Sequence, residues 1–146
     1  MKPKNIELVK TSWALVAKMN METVGGLFYN KLFEVMPEAK PMFSRSPIPE
    51  QSKKLLGMLS YIVSKLDKLE EILDEVAKLA KRHTVYGVKD EHYSAVGIAL
   101  LWTLEKGLGA YWNEELEQAW TEVFTTLAGA MMAVQHEGIT KEPVLV

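Results

Sequence analysis

Residues 70–86 read EEILDEVAKLAKRHTVY, and apolar side chains recur in this stretch every three or four positions. That spacing predicts an amphipathic helix whose buried face includes Val76, Leu79 and Ala80. One further step along the same face comes His83, a polar residue among apolar ones. A buried polar group needs a partner, because leaving it unsatisfied costs about 1–3 kcal/mol. His83 is therefore either a core histidine satisfied by its own neighbours or a metal ligand.

Helical periodicity continues on both sides of this segment, and no stretch alternates polar and apolar residues between hairpin turns. The fold class is therefore predicted to be all-α. Asn5, Asp90 and Asn113 are predicted to cap helices, and Gly107 with Gly109 to end one. The predicted helices span residues 5–19, 21–35, 37–43, 49–66, 70–86, 90–106 and 113–136.

The composition limits the classes of function. The chain has 146 residues with a net charge of −2, and it lacks the basic excess that indicates nucleic-acid binding. It contains no cysteine, which excludes disulfides, thiolate metal sites and cysteine nucleophiles. Neither a signal peptide nor a membrane-spanning stretch is recognisable. We therefore expect one cytoplasmic domain over residues 1–146, monomeric or weakly dimeric, with no nucleic-acid or membrane partner.

Two more polar residues fall on faces whose neighbours are apolar. Gln51 lies one turn before Leu55 on the inner stripe of the fourth helix, and Tyr29 lies within the apolar second helix. Each has an ordinary alternative, Gln51 as a solvent-facing residue and Tyr29 as a core residue whose hydroxyl reaches the surface. Gly25 and Gly26 cost the second helix about 1 kcal/mol each relative to alanine, which predicts the close approach of another helix.

A site built only from protein ligands is not indicated for His83. His92 and His136 lack the HExxH or carboxylate–histidine spacing of a zinc site. A porphyrin brings four nitrogen ligands of its own, so that one imidazole from the protein is sufficient to hold its iron. The residues therefore favour haem over a metal held only by side chains as the partner of His83.

Longer motifs support this hypothesis. They are SW at 12–13, LFYNKLFEVMPEAKPMF at 27–43, LAKRHTVYGV at 79–88, VGIALLWTLEKGLG at 96–109 and AW at 119–120. By these motifs, and by the spacing of Pro37, Phe43 and His83, the chain resembles the globin family over nearly its whole length. The likeness is strongest to bacterial single-domain globins, to the globin domain of flavohaemoglobins and to vertebrate neuroglobin.

The resemblance implies a haem b cofactor and a role for each matching residue. His83 would be the proximal iron ligand, and Tyr29 with Gln51 would form the distal polar pair that contacts a bound gas. Gly25 would let the second helix cross the fourth near Ser52. The further haem-pocket residues that the resemblance implies are Phe43, Lys54, Leu55, Val88, Tyr93 and Val96. Of these, Lys54 is either a partner of a haem propionate or a solvated surface lysine.

The distal pair implies tight binding of O2. Oxygen on ferrous haem carries negative charge, so a hydrogen bond from Tyr29 or Gln51 is charge-assisted and contributes about 1.5–3 kcal/mol. Such bonds slow the release of O2, whereas carbon monoxide carries less charge and gains less. The resemblance therefore implies O2 binding or storage, or nitric oxide detoxification, rather than bulk transport. Because Gln51 stands where neuroglobin has a distal histidine, coordination of the iron by two histidines is not expected.

Two departures from the flavohaemoglobin pattern bear on catalysis. No flavin or nicotinamide module follows the globin region before Val146, so repeated dioxygenation of nitric oxide would need electrons from a separate reductase. Tyr93 matches the tyrosine that flavohaemoglobins place beside the proximal histidine, but Gln135 stands at the position of their glutamate. An amide cannot strengthen electron donation by the imidazole as a carboxylate would. Both an enzyme and a binding protein without turnover therefore stay open.

Two other interpretations also stay open. One is a haem-based gas sensor or interaction module, in which the ligand state alters a surface that a partner reads; no attached output domain is recognisable. The other is a haemless scaffold with a globin fold, in which His83 only packs. The joint presence of Tyr29, Phe43, Gln51 and His83 argues against the scaffold.

Overall fold

The computed structural model describes residues 1–85 and 89–145, without the side chains of residues 73, 84, 85 and 135–145. Every secondary-structure element of the described residues is a helix, which confirms the predicted all-α class. None of these helices is both long and apolar enough to cross a lipid bilayer. The α-helices are α1 Pro3–Val16, α2 Met21–Val35, α3 Ile48–Ser64, α4 Leu73–Val85, α5 Asp90–Leu108 and α6 Glu114–Leu145. Short 3-10 segments lie at Pro37–Phe43, Leu66–Ile72 and Gly109–Tyr111.

The start of α1 corrects the prediction that Asn5 caps this helix. The helix begins at Pro3, with Lys2 as the N-cap residue. Proline fits the first turn of a helix because its missing N–H would have no partner there in any case. The Asn5 side chain instead donates a hydrogen bond to the carboxylate of Glu122 on α6. Asn5 therefore ties α1 to α6.

Two further predicted boundaries were wrong. α4 begins at Leu73 rather than at residue 70. The preceding residues form the 3-10 segment Leu66–Ile72, in which Lys68 leaves helical geometry with φ −139° and ψ 48°. α6 continues to Leu145, beyond the predicted end at residue 136. The connection between α3 and α4 is thus longer, and α6 is longer, than the apolar spacing indicated.

Of the N-caps predicted for α5 and α6, the first is wrong and the second is confirmed. The N-cap of α5 is Lys89, and Asp90 is the first helical residue rather than the cap. The backbone N–H of Lys89 donates to Nδ1 of the buried His92 at 3.0 Å, so His92 contributes to the start of α5. Asn113 caps α6 as predicted, since its Oδ1 accepts a hydrogen bond from the Leu116 N–H at 2.9 Å.

The two short tryptophan motifs meet in the core. The rings of Trp13 on α1 and Trp120 on α6 lie 5.9 Å apart between centroids. Trp120 Nε1 donates to Ser12 Oγ at 2.9 Å, and Trp13 Nε1 donates to Ser60 Oγ at 2.9 Å. Both indole N–H groups are therefore satisfied although the rings are buried. These contacts hold α1 against both α6 and α3.

α2 and α3 cross closely at Gly25, as predicted. A Cβ atom at this position would overlap the Ser52 side chain and would lie 3.0 Å from the Ser52 Cα, so the crossing requires glycine. The prediction does not extend to Gly26, where an added Cβ would meet no heavy atom of the described residues within 4 Å. Because Tyr29 follows Gly25 by one turn and Gln51 precedes Ser52, the crossing also brings the predicted distal pair together.

Alanine at these two glycines is expected to change stability in opposite directions. Gly25→Ala overpacks the crossing, which costs about 1–3 kcal/mol of unfolding free energy. Gly26→Ala adds a methyl group in open space and gains about 0.5–1 kcal/mol from the lower entropy of the unfolded chain. Urea unfolding followed by circular dichroism measures both changes. Equal effects of the two substitutions would contradict the close crossing.

Candidate functional site

His83 lies near the end of α4, and one of its ring nitrogens is already held. Nδ1 lies 2.8 Å from the carbonyl oxygen of Leu79, one turn earlier in the same helix. Because a carbonyl oxygen only accepts, Nδ1 carries the proton and the lone pair is on Nε2. The hydrogen bond therefore selects the tautomer and the ring orientation that a metal ligand needs.

The surroundings of His83 favour the neutral imidazole. Burial lowers the pKa of His83, and the positive charge of Arg82 lowers it further, against the opposing effect of the hydrogen bond to Leu79. The imidazole also stacks on the ring of Tyr93 from α5, with 6.4 Å between centroids and 18° between planes. A neutral and oriented imidazole of this kind fits the requirement of a haem iron.

Tyr93 forms the side of the His83 site that faces α5. It is buried, and burial, with a smaller contribution from the Asp90 carboxylate, raises the pKa of Tyr93 to about 12. The hydroxyl group therefore stays protonated at physiological pH and is able to donate a hydrogen bond. The structure thus brings Tyr93 to His83, as the sequence predicted.

Tyr29 and Gln51 meet where α2 crosses α3. The Tyr29 side chain is only 3% exposed, and burial raises the pKa of Tyr29 to about 12. Hydrogen bonding with the Gln51 side chain opposes this rise to a smaller extent. Tyr29 is therefore a buried, protonated hydroxyl beside a half-buried amide. The ordinary alternative for Tyr29, a hydroxyl that reaches the surface, does not hold.

An aromatic cluster surrounds the Tyr29 ring. Phe43 contacts it edge-on at 5.2 Å between centroids, and Phe28 does so at 5.0 Å. Phe33 completes the cluster, 6.1 Å from Tyr29 and 5.8 Å from Phe43. These rings restrict the Tyr29 side chain, so that its hydroxyl oxygen has a fixed position. Phe43 is only half-buried, which leaves part of its ring available for contact with a planar group.

α3 and α4 are supported by different neighbouring helices. α3 packs chiefly on α2, and α4 packs chiefly on α6. Over the described parts of the chain, α3 and α4 have almost no direct contact with each other. The helix that carries Gln51 and the helix that carries His83 are thus held by different neighbours. The Nε2 lone pair of His83 and the half-buried ring of Phe43 are groups that suit the iron and the porphyrin of a haem.

The remaining predicted haem contacts are distributed around this site. Leu55 is half-buried and lines a small apolar cavity with Phe28, and Val96 on α5 is also half-buried. Lys54 is exposed, which suits either of its two predicted roles. Val88 lies outside the described residues, as does the side chain of Gln135.

Sequence reasoning missed two features of the site. It did not identify the carbonyl of Leu79 as the group that orients His83, although any histidine in a helix has a carbonyl four residues earlier. It also missed Phe28 and Phe33 as neighbours of Tyr29. Both phenylalanines belong to the apolar second helix, and apolar spacing does not show which core residues touch one chosen side chain.

Known proteins are similar to this chain in sequence and in structure. The Globin family model matches residues 26–131. An anaerobic nitrite reductase from Gossypium hirsutum is 33% identical over 138 residues, which are 85% of this chain and 84% of the relative. The Bacillus subtilis flavohemoprotein is 26% identical over 136 residues, which are 92% of this chain but only 34% of the relative. A bacterial globin structure from Campylobacter jejuni has a TM-score of 0.82 and 27% identity, covering 95% of this chain and 99% of its own. The chain therefore belongs to the globin family.

Proposed function

We propose that this chain, whose family membership supports haem binding, holds one haem b through Nε2 of His83. It binds O2, nitric oxide and carbon monoxide reversibly on the side of Tyr29 and Gln51, with high affinity for O2. The observation that carries the proposal is the buried, protonated Tyr29 hydroxyl beside the Gln51 amide. Residues 1–146 act as a single domain in the cytoplasm, as a monomer or a weak homodimer.

The residues of this site would hold the haem and contact the gas that it binds. When bound, the haem supplies an iron centre to which a diatomic gas coordinates and gains electron density. His83 holds the iron through the nitrogen that the Leu79 hydrogen bond leaves free. Tyr29 and Gln51 donate hydrogen bonds toward the gas, and Leu55 limits the space around it. Phe43 contacts the porphyrin, and Tyr93 supports the His83 ring.

We propose dioxygenation of nitric oxide as the chemistry of this pocket. One nitric oxide, one O2 and one electron give one nitrate, so each turnover consumes one electron. We propose that a separate reductase supplies that electron; residues 1–146 match only about a third of the flavohemoprotein relative. Tyr29 and Gln51 contribute by retaining O2 long enough for nitric oxide to arrive.

Spectroscopy of the purified protein tests this function. The reduced protein is expected to show a haem spectrum that shifts on adding carbon monoxide, and an oxygenated form that persists in air. Nitric oxide added to the oxygenated form should convert it to the ferric form within the mixing time, with one nitrate released per haem. Slow decay without nitrate would reject the dioxygenase, and a colourless protein from haem-supplied cells would reject the whole proposal.

The named activity of the Gossypium hirsutum relative makes nitrite reduction the second candidate. One nitrite, one electron and two protons give one nitric oxide and one water. This reaction runs without O2, so the same reduced protein is mixed with nitrite under argon. Rapid formation of the nitric oxide adduct, at a rate that rises as pH falls, would favour nitrite reduction over dioxygenation.

A further inference from the structure

His92 is a buried histidine that the proposed function does not use. Its side chain is only 8% exposed, and it lies in the first turn of α5, next to Tyr93. Two reciprocal hydrogen bonds join it to Lys89, the N-cap residue of this helix. The His92 N–H donates to the Lys89 carbonyl oxygen at 2.9 Å, and the Lys89 N–H donates to His92 Nδ1 at 3.0 Å. His92 therefore closes the first turn of α5 through both its backbone and its side chain.

The hydrogen bond from Lys89 determines which nitrogen of His92 carries the proton. A backbone N–H only donates, so Nδ1 of His92 is the acceptor and Nε2 carries the proton. Helix ends fray because the first N–H groups have no acceptor within the helix. His92 occupies the third helical position, from which a glutamate or glutamine side chain commonly reaches back to the N-cap N–H. The imidazole of His92 fills that role in α5.

Tyr93, the residue after His92, lies against the imidazole that is proposed to hold the iron. The rings of Tyr93 and His83 are 6.4 Å apart between centroids and 18° from parallel. The bond from His83 Nδ1 to the Leu79 carbonyl oxygen fixes one atom of this imidazole. Hydrogen bonds tolerate deviations of about 30° from linearity, and a ring stacked on the imidazole narrows that range. The direction of His83 Nε2 thus depends on where α5 places Tyr93.

Burial alone does not fix the position of Tyr93. Its side chain is only 6% exposed, so hydrophobic packing keeps the ring inside the protein. Hydrophobic packing is non-directional, however, and does not set the distance between this ring and α4. The bond between Lys89 and His92 is directional, and it holds the backbone immediately before Tyr93. It is therefore the contact best placed to keep the two rings in register.

We propose that His92 is a positioning residue of the His83 site. Its Nδ1 holds the first turn of α5, so that Tyr93 stays stacked on His83 and Nε2 of His83 keeps the direction in which it binds the haem iron. The inference rests on the proposed function, because it concerns the same imidazole. His92 acts through Tyr93 rather than as a ligand of the iron.

Glutamine and methionine at position 92 test the acceptor. Both side chains are unbranched and suit a helix about equally, but only glutamine offers a strong acceptor to the Lys89 N–H. Resonance Raman spectra of the ferrous, haem-loaded proteins are recorded directly after photolysis of carbon monoxide. They report the stretching frequency of the bond between the iron and His83 Nε2. His92→Met should shift this band, and His92→Gln should leave it at the wild-type frequency.

Release of haem gives a second readout. Its rate constant is measured by transfer of haem from each ferric protein to an excess of a haem-scavenging apoprotein. Groups that orient a metal-bound histidine contribute about 10- to 100-fold to metal affinity. We expect His92→Met to release haem about tenfold faster than the wild type, at the lower end of that range. His92→Gln should stay within about twofold of the wild type, because glutamine keeps the capping bond.

Stabilisation of α5 without any effect on His83 is the competing role for His92. Asn20→Ala is the matched control, since Asn20 Oδ1 accepts a hydrogen bond from the Thr23 N–H at 3.0 Å at the start of α2. Loss of such a cap raises the equilibrium constant of unfolding about fivefold, which urea unfolding measures in both variants. Equal haem release from Asn20→Ala and His92→Met, or an unshifted Raman band in His92→Met, would overturn the proposal.

A double variant tests whether His92 acts through Tyr93. Tyr93→Leu removes the stacked ring and should release haem at least about tenfold faster than the wild type. Adding His92→Met to Tyr93→Leu should then change the rate by less than about twofold. Effects that multiply in the double variant would contradict the route through Tyr93. His92→Leu takes the place of His92→Met if the latter does not fold.

The same measurements separate this inference from the proposed function. A wild-type protein that binds no haem, or that shows no bond between iron and a histidine, would reject the proposed function. A haem protein with the His83 bond intact, whose Raman band and haem release do not respond to His92→Met, would reject only the role of His92.

Discussion

His83→Leu is expected to abolish haem binding. Leucine fills a similar volume on α4 but offers no lone pair, so the iron loses its only predicted protein ligand. The purified variant should contain at least about tenfold less haem per chain than the wild type, since coordination dominates the affinity of such sites. The pyridine haemochrome assay measures this ratio, and circular dichroism reports whether the helices persist.

A cavity variant distinguishes loss of the ligand from loss of the fold. His83→Gly removes the imidazole and leaves space in which free imidazole is able to bind. Adding imidazole should restore the haem content and the spectrum of the reduced protein, because the other side chains of the pocket are unchanged. Pigment and an unaltered spectrum in His83→Leu would remove His83 from the site.

Tyr29→Phe is expected to release O2 about 10- to 150-fold faster, which corresponds to the loss of one charge-assisted hydrogen bond of about 1.5–3 kcal/mol. The ring and its contacts with Phe43 and Phe28 remain, so the substitution removes only the hydroxyl. Because the pKa of Tyr29 is raised to about 12, the hydroxyl stays a donor and the wild-type off-rate should be constant from neutral pH to about pH 10. Flash photolysis or stopped-flow displacement gives the rate.

Two controls accompany this measurement. Tyr61→Phe removes the hydroxyl of an exposed tyrosine on α3 and should leave the O2 off-rate unchanged. The carbon monoxide off-rate should rise less than the O2 off-rate in Tyr29→Phe, since bound carbon monoxide carries less charge. An O2 off-rate in Tyr29→Phe equal to that of the wild type would exclude Tyr29 from ligand stabilisation.

Structural features that depend on a local sequence pattern could be predicted from the sequence. Apolar spacing identified α2 within a residue at each end. Gly109 ends α5 with a positive φ of 54°, a conformation that favours glycine, and Asn113 caps α6 through its own side chain. Polar residues on apolar faces also identified Tyr29 as one of the buried groups of the site. These features depend on neighbours a few residues away.

Features set by distant residues could not be predicted from the same patterns. Asparagine is a residue type that often caps helices, but the side chain of Asn5 bonds to Glu122 on α6 instead. Only the tertiary fold brings Glu122 near. Residues 70–72 have the spacing of an α-helix, yet they belong to the 3-10 segment Leu66–Ile72, and α4 begins only at Leu73. Likewise, the contact of Tyr29 with Phe43 depends on how the chain turns after α2.

The close crossing at Gly25 has a consequence for the proposed retention of O2. Tyr29 and Gln51, the proposed hydrogen-bond donors, lie within about one turn of the close contact between Gly25 and Ser52, so we expect their separation to depend on the absence of a side chain at position 25. A larger residue at position 25 would push α2 away from α3. It would therefore weaken the packing of these helices and also move the Tyr29 hydroxyl away from the Gln51 amide. Resistance to unfolding and the residence time of O2 should therefore decline together along a series of larger residues at that position.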